Sequence, residues 1–227
     1  MESTEWSDWL EKIWEYREET IYPEFFGELE GEGIYTLSAD TFLKTFGQET
    51  FDPRWLFYGV LIYQPSAKRN SWLYVTSGMS NPWDDEVPNP SGISGLGCEF
   101  VFETVEKVDW AILQVQNIMA YEILLSHGRY EGREPIQFYD RIPLRSSIKP
   151  GFDSAIRNIL FCPPVSYPDS FNLESGVVDL MALVGITDDE AQYARENDGE
   201  KLVELLARAG AFPVTDPARK SVISTLR

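Results

Sequence analysis

Apolar residues near the start of the chain recur at three- and four-residue steps. Trp6, Trp9, Leu10, Ile13 and Trp14 share one stripe, and glutamates are dense throughout residues 2–32. This spacing predicts an amphipathic helix. Pro23 predicts its end near Tyr22, because proline stops helices. Aromatic stripes of this kind are more often core than ligand site.

Residues 55–63 carry a different pattern. Only Gly59 interrupts a run of apolar and aromatic side chains. A run that is apolar on both faces predicts a strand buried on two sides. A polar turn at residues 66–70 separates it from a second candidate strand, residues 71–77, and the pair predicts a β-hairpin. A loop rich in Pro, Gly, Ser and Asp spans residues 82–97 and leads to a third strand at 98–105. Asp109 is the expected N-cap of a helix from Trp110 to about Ser126, with Leu113, Gln114, Asn117, Ile118, Tyr121 and Leu125 at helical steps. His127-Gly128 ends it. Further strands are expected at 136–139, 156–161 and 177–184.

The C-terminal part carries clearer punctuation. Thr187 to Glu190 fits a capping box, and Asp188 and Asp189 suit the positive end of a helix dipole. A short second helix is expected over residues 200–209, stopped by Gly210, with residues 213–216 extended. Strands fill the middle and helices the ends, without regular βαβ alternation. The fold class is therefore α+β: a central mixed, largely antiparallel sheet with flanking helices. One domain spans residues 1–227, its first 50 residues a helical segment.

The chain has 227 residues, 43% hydrophobic and 14% aromatic, enough to bury a large core and to argue against disorder. Its net charge is −18. Such a chain repels nucleic acid and anionic membranes; the charge reads either as simply keeping the protein soluble or as attracting a basic protein partner. No apolar run approaches the roughly 18 residues of a membrane span. The acidic start, Met1-Glu2-Ser3-Thr4-Glu5, lacks the basic and apolar regions of a secretory signal, so a cytoplasmic location is expected. Cys98 and Cys162 are too few for a disulfide scaffold and read as buried thiols. With His127 as the only histidine, no structural zinc site can be assembled, and no cofactor or metal is expected.

Candidate chemistry is sparse. His127 falls where a helix C-terminus favours a cationic side chain, and no nucleophile motif accompanies it. Residues 91–97 are glycine-rich, but no Gly-Lys-Ser/Thr follows, and a strand follows where a nucleotide fold needs a helix. Gly95 and Gly97 therefore read as turn glycines at a strand start. Asp84, Asp85, Glu86 and Glu99 form an acidic group around this loop. It reads as a solvated loop, as a surface for a basic partner, or as carboxylates for acid–base or hard-cation chemistry. Glu99 lies within an apolar strand and must face solvent or accept hydrogen bonds. It is expected to anchor the glycine-rich turn through backbone N–H groups, or to line a groove.

Three segments, in order, resemble the suppressor of fused family. Residues 72–80 (Trp-Leu-Tyr-Val-Thr-Ser-Gly-Met-Ser) are similar to its Trp-x-Tyr…Gly-Leu-Ser segment. Residues 94–100 (Ser-Gly-Leu-Gly-Cys-Glu-Phe) are similar to its Ser-Gly-x-Gly-aromatic-Glu-Leu segment, with Cys98 in place of the aromatic residue and Phe100 in place of leucine. Gly176-Val-Val, residues 184–187, Leu202 to Leu206, and Val214-Thr215-Asp216-x-x-Arg219 resemble the end of the family's N-terminal lobe. The likeness covers about residues 50–220, with 51–220 as the family core.

The resemblance implies a mixed sheet wrapped by helices and a protein-binding role. Animal members use two lobes to clamp an extended peptide of the Hedgehog-pathway transcription factor. Here a single-lobe surface is expected, with Tyr74, Asp84, Asp85 and Glu99 as partner-binding positions. The resemblance further implies a short bacterial member, an immunity or adaptor protein that inhibits a basic toxin or regulatory protein. An enzyme or small-ligand or metal-binding protein using the loop from Asp84 to Glu99 is the alternative, and a scaffold subunit without a site is a third.

Overall fold

The computed structural model describes residues 3–31, 33–85 and 87–223. Glu86 of the expected acidic group lies outside the described residues. Helix α1 (Ser3–Glu15) passes through a widened π turn at Tyr16–Ile21 into α2 (Tyr22–Phe26). The helical arm thus runs past the expected stop at Pro23. That proline sits in the first turn of α2, the helical position that best tolerates a missing N–H. The arm ends at Gly27, whose φ of 90° suits glycine.

The strands are β1 (Tyr35–Thr36), β2 (Gly59–Tyr63), β3 (Trp72–Ser77), β4 (Ile93–Thr104), β5 (Arg141–Pro143), β6 (Ile156–Cys162), β7 (Ser170–Leu173), β8 (Gly176–Thr187) and β9 (Val214–Thr215). They form one nine-stranded sheet in the order β1-β2-β3-β4-β8-β6-β5, with β7 on β8 and β9 on β4. β4 pairs parallel with β8 and β9. The other pairings are antiparallel, including the expected hairpin, whose register runs from Gly59↔Ser77 to Tyr63↔Leu73. The sheet is therefore mixed and largely antiparallel.

Both faces are covered. Val60, Ile62, Tyr74, Phe100, Phe102, Phe161 and Leu183 pack on one side with α3 (Asp109–Ser126). Leu61, Leu73, Val75, Val101, Leu160 and Ala182 pack on the other. There they meet Trp9, Leu10 and Ile13 of α1, Tyr22 and Phe26 of α2, Ala191 of α4 (Asp188–Glu196), and Leu202 and Leu206 of α5 (Gly199–Arg208). Covering on both faces is why the central strands read as unbroken apolar runs. Of the Trp-rich stripe, Trp9, Leu10 and Ile13 are core, and Trp6 and Trp14 pack against it partly buried.

Several elements differ from expectation. Only residues 59–63 of the 55–63 run are strand; Pro53–Phe57 is a 3₁₀ turn capped by the Asp52 carboxylate, which accepts from Arg54 N. That turn leaves Phe57 66% exposed. Residues 136–139 form a turn instead of a strand. Ile136 N donates to Glu122 Oε2 at 3.1 Å, Tyr139 has a φ of 72°, and the strand follows as β5. Asp109 is the first helical residue, not the N-cap. Val108 caps α3, and its N–H donates to the Tyr74 hydroxyl at 2.7 Å. β4 starts inside the expected loop, at Ile93.

Other expectations hold. His127 is the C-cap of α3, with Nδ1 2.7 Å from the Ile123 carbonyl oxygen. Cys98 and Cys162 are buried free thiols. The capping box at α4 forms, with Thr187 N donating to Glu190 Oε2 at 2.8 Å. Glu190 also takes both Nη groups of Arg219 at 2.7 Å, which ties the C-terminal tail to α4.

Candidate functional site

Glu99 projects from β4 beneath the turn that ends β3, and both are buried. Its Oε1 accepts from Gly78 N at 3.1 Å, Ser80 N at 2.9 Å and Ser80 Oγ at 2.6 Å. Its Oε2 accepts from Thr76 Oγ1 at 2.5 Å. The carboxylate thus satisfies two backbone N–H groups and two hydroxyls in one place. It does anchor a turn, but the turn is that of residues 78–80, not the glycine-rich segment before it.

Arg17, in the π turn of the arm, comes in from the opposite side. Its Nη1 donates to Ser80 Oγ at 2.9 Å and Asn81 Oδ1 at 2.7 Å, and its Nη2 to Ser77 Oγ at 2.7 Å and Glu18 Oε1 at 3.0 Å. The guanidinium lies 3.9 Å from Glu99 Oε1, and the two side chains are 1% and 0% exposed. Burial opposes the Arg17 charge, but Tyr22, Glu99 and Glu18 outweigh it and raise its pKa further. Burial, then Glu99, pushes the neighbouring Tyr22 phenol far up; its hydroxyl donates to the Thr76 carbonyl at 2.9 Å.

Gly95 braces this turn, while Gly97 packs against the Ile93 side chain at the start of β4. Their φ values are 56° and 79°. A Cβ on Gly95 would stand 2.6 Å from both the Asn81 and Met79 carbonyl oxygens, and Leu96 N donates to Met79 O at 2.7 Å. Here glycine is required by close approach as well as by dihedral. Ser94 Oγ adds a bond to Ser80 O at 2.7 Å.

The loop of residues 82–92 rises from this base. Trp83 packs against Trp14 at 5.4 Å, Trp6 at 6.3 Å and Phe57 at 6.4 Å between ring centroids. Asp84 points outward, its side chain 79% exposed, and meets Arg54 at 3.2 Å. Arg54 also holds Asp52 at 2.6 Å, and that hydrogen-bonded partner lowers the Asp52 pKa. Asp85 is half-buried; burial, then Asp84, raises its carboxyl pKa. The exposed aromatic at this surface is therefore Phe57, from the neighbouring 3₁₀ turn, which leans on the partly buried Trp83 beside the exposed Asp84 and the half-buried Asp85.

The expected site residues fall into two groups. Asp84 and Asp85 reach the surface or its margin. Tyr74 and Glu99 are internal: the Tyr74 hydroxyl donates to Val108 O at 3.1 Å and accepts from Val108 N, fixing the start of α3. Glu99 spends its oxygens on the turn and does not join the surface carboxylates. Among the described residues, no group of three or more His, Cys, Asp or Glu side chains could hold a metal ion. Arg17 and Arg54 carry the site yet were not singled out in the sequence. Arg17 follows Leu10 and Ile13 at helical spacing, so a charge on the buried stripe was its one legible signal.

A separate groove of about 270 Å³ lies at the far end of β4, walled by Val105, Val108, Trp110 and Phe152, with Lys149 at its edge. No helix among the described residues is long and apolar enough to cross a membrane.

The sequence model of the suppressor of fused protein family matches residues 56–220. Among solved structures, a chain of the Sufu–Fu complex superposes with a TM-score of 0.66 at 20% identity, over 96% of this chain and 93% of that one. A suppressor-of-fused homologue from Neisseria gonorrhoeae gives 0.61 at 16% identity, over 95% and 97%. Drosophila Suppressor of Fused gives 0.60 at 19% identity, over 74% of this chain and 43% of that one. The chain thus spans less than half the length of the Drosophila protein. At these identities the likeness concerns the fold alone. None of the curated proteins matches the sequence.

Proposed function

Because the chain belongs to the suppressor of fused family, we propose that it acts as a non-enzymatic protein-binding module whose partner docks on the 82–92 loop. One structural relative is a chain of a Sufu–Fu complex, and that protein-binding use is carried over here as part of the proposal. The finer reading is a cytoplasmic immunity or adaptor protein of bacterial type that binds and inhibits a basic partner. The net charge of −18 would steer such a partner into contact.

The observation that carries the location is Phe57. A large aromatic side chain, two-thirds exposed, lies against Trp83 beside the exposed Asp84. Aromatic anchors next to charges that can pair across an interface are the usual makings of a binding hot spot. In this reading Asp84 and Asp85 contact the partner, while Tyr74 and Glu99 contribute from inside by fixing α3 and the loop base.

The test uses the purified chain as bait in lysate of its native cell, alongside Phe57→Ala and the Asp84→Asn/Asp85→Asn double variant. A basic protein retained by the wild type and lost from both variants supports the module and its surface. Retention that ignores both variants removes the surface from this loop. If nothing is retained, and co-expression protects against no co-encoded toxin, the binding reading fails.

A further inference from the structure

The residues that hold the acidic loop come largely from the N-terminal arm. Trp6 Nε1 donates to the Asp85 carbonyl oxygen at 3.1 Å. The rings of Trp6 and Trp14 enclose Trp83. Arg17 grips the loop's root through Ser80 and Asn81. These three positions fall on one helical stripe. On the same face, Trp9, Leu10 and Ile13 fasten the arm to the sheet. From the 3₁₀ turn of Pro53–Phe57, Arg54 reaches the same loop, at Trp83 O and Asp84. The loop itself carries prolines 82, 88 and 90 and short-range backbone bonds, Trp83 N to Asn81 O and Asp85 N to Pro82 O. Segments of this composition with few bonds to the body open locally at low cost.

We propose that the N-terminal arm is the positioning element of the acidic loop. Through Trp6, Trp14 and Arg17, α1 and its π turn set the conformation of residues 81–85, and so the direction in which Asp84 and Asp85 face a partner. The arm lies outside the matched family segment, residues 56–220. The loop's presentation thus depends on a segment that the family's sequence model does not reach. A loop held ready before contact loses less freedom on binding, which strengthens and sharpens recognition. The positioning stands on contacts within the chain; its role in recognition rests on the loop being the partner surface.

Hydrogen–deuterium exchange on the full chain separates the two. Trp6 is only partly buried, so Trp6→Leu keeps apolar contact while removing the N–H bond and the ring stack. In that variant the Trp83 and Asp85 amides should exchange about 5- to 30-fold faster, with α3 unchanged. Trp14→Leu should act on the same amides. Unchanged loop exchange in both variants overturns the proposal. A rise shared equally by the loop and α3 also overturns it, because the arm would then be serving the core as a whole. Asp84→Asn/Asp85→Asn weakens the Arg54–Asp84 contact but keeps every contact of the arm, so loop exchange should rise less than in Trp6→Leu. If those changes leave partner capture intact while Trp6→Leu frees the loop, the positioning holds and the docking reading is what fails.

Discussion

Glu99→Gln is the sharpest perturbation of the buried network. The substitution keeps the shape of the side chain and removes its charge. On the Oε2 side the Thr76 hydroxyl, which already accepts from Phe100 N, must give up its donor bond to accept from the new amide, a smaller loss than that of the charge. Gly78 N and Ser80 N can still donate to the remaining carbonyl oxygen. What is lost is the charge opposite Arg17, 3.9 Å away and buried with it. Breaking a buried ion pair from one side costs about 3–5 kcal/mol. Glu18 stays in contact with Arg17 at 3.0 Å and is partly exposed, which places the expected cost at the lower end, about 3 kcal/mol. For a chain of this size that corresponds to a fall in Tm of about 6–12 °C.

Urea unfolding at neutral pH, followed by far-UV circular dichroism, gives the difference directly. A double-mutant cycle with Arg17→Met gives the coupling. Removing both charges leaves neither one stranded, so the double variant should be more stable than the sum of the single losses by about 1–3 kcal/mol. A loss below about 1 kcal/mol in Glu99→Gln, or additivity within about 0.5 kcal/mol, would refute the reading of Arg17 and Glu99 as one interdependent unit.

Gly95→Ala should cost about 2 kcal/mol or more, since a Cβ meets two carbonyl oxygens on top of the left-handed dihedral. Gly132→Ala, at a φ of 72° with open space around it, should cost only about 1 kcal/mol; equal losses in thermal melts would show that close approach is unimportant. Tyr74→Phe removes both hydroxyl contacts to Val108 and should cost about 1–3 kcal/mol, with faster amide exchange confined to the first turn of α3. The Glu122 carboxyl is shifted up from the ordinary 4.5, chiefly by burial. A raised folded-state value means that its contribution is fully present below pH 4.5 and is lost as pH rises through the folded value. Glu122→Gln should therefore compare better with wild type at pH 8 than at pH 4; a urea-midpoint difference that does not change with pH would contradict this.

The sequence disclosed elements wherever packing and local chemistry agreed. The hairpin of β2 and β3, the long helix α3, the strands β6 and β8 and the capping box at Thr187 all pair strong periodicity with clear punctuation. It misled where one residue's local geometry outweighed the pattern. Asp52 and Pro53 turn an apolar run into a 3₁₀ turn. The π turn carries the arm through Pro23. Short strands held only by neighbours, β1 and β7, have no pattern long enough to read. The candidate site was legible in part. Asp84 and Asp85 were visible as an acidic loop. The Glu99 anchor was foreseen, but which turn it holds depends on a contact across 19 and 21 residues of chain, to Ser80 and Gly78. Tyr74 was expected to line a groove; its ring is buried under α3 and its hydroxyl holds the Val108 cap of that helix.

The network around Glu99 is better understood as a device for position than for stability. Buried ion pairs recover little more than their desolvation, and well-packed apolar residues of similar volume often serve stability as well or better. Apolar side chains cannot, however, accept the Gly78 and Ser80 amides or hold the Asn81 amide oxygen. Those bonds fix the turn from which the acidic loop departs, and Gly95 fits against that turn only in the geometry they impose. The tail repeats the arrangement. Arg219 binds Glu190 through both nitrogens and the Gly185 carbonyl at 2.6 Å, joining the last residues of the family segment to the α4 cap and to β8. In both places an arginine from near one end of the chain closes on a carboxylate that is already committed to a backbone turn. If position is what these pairs supply, the Arg17→Met/Glu99→Gln double variant, which keeps an acceptor for the Gly78 and Ser80 amides, should recover much of the stability lost in the single variants and still leave the Trp83 and Asp85 amides exchanging faster than in the wild type.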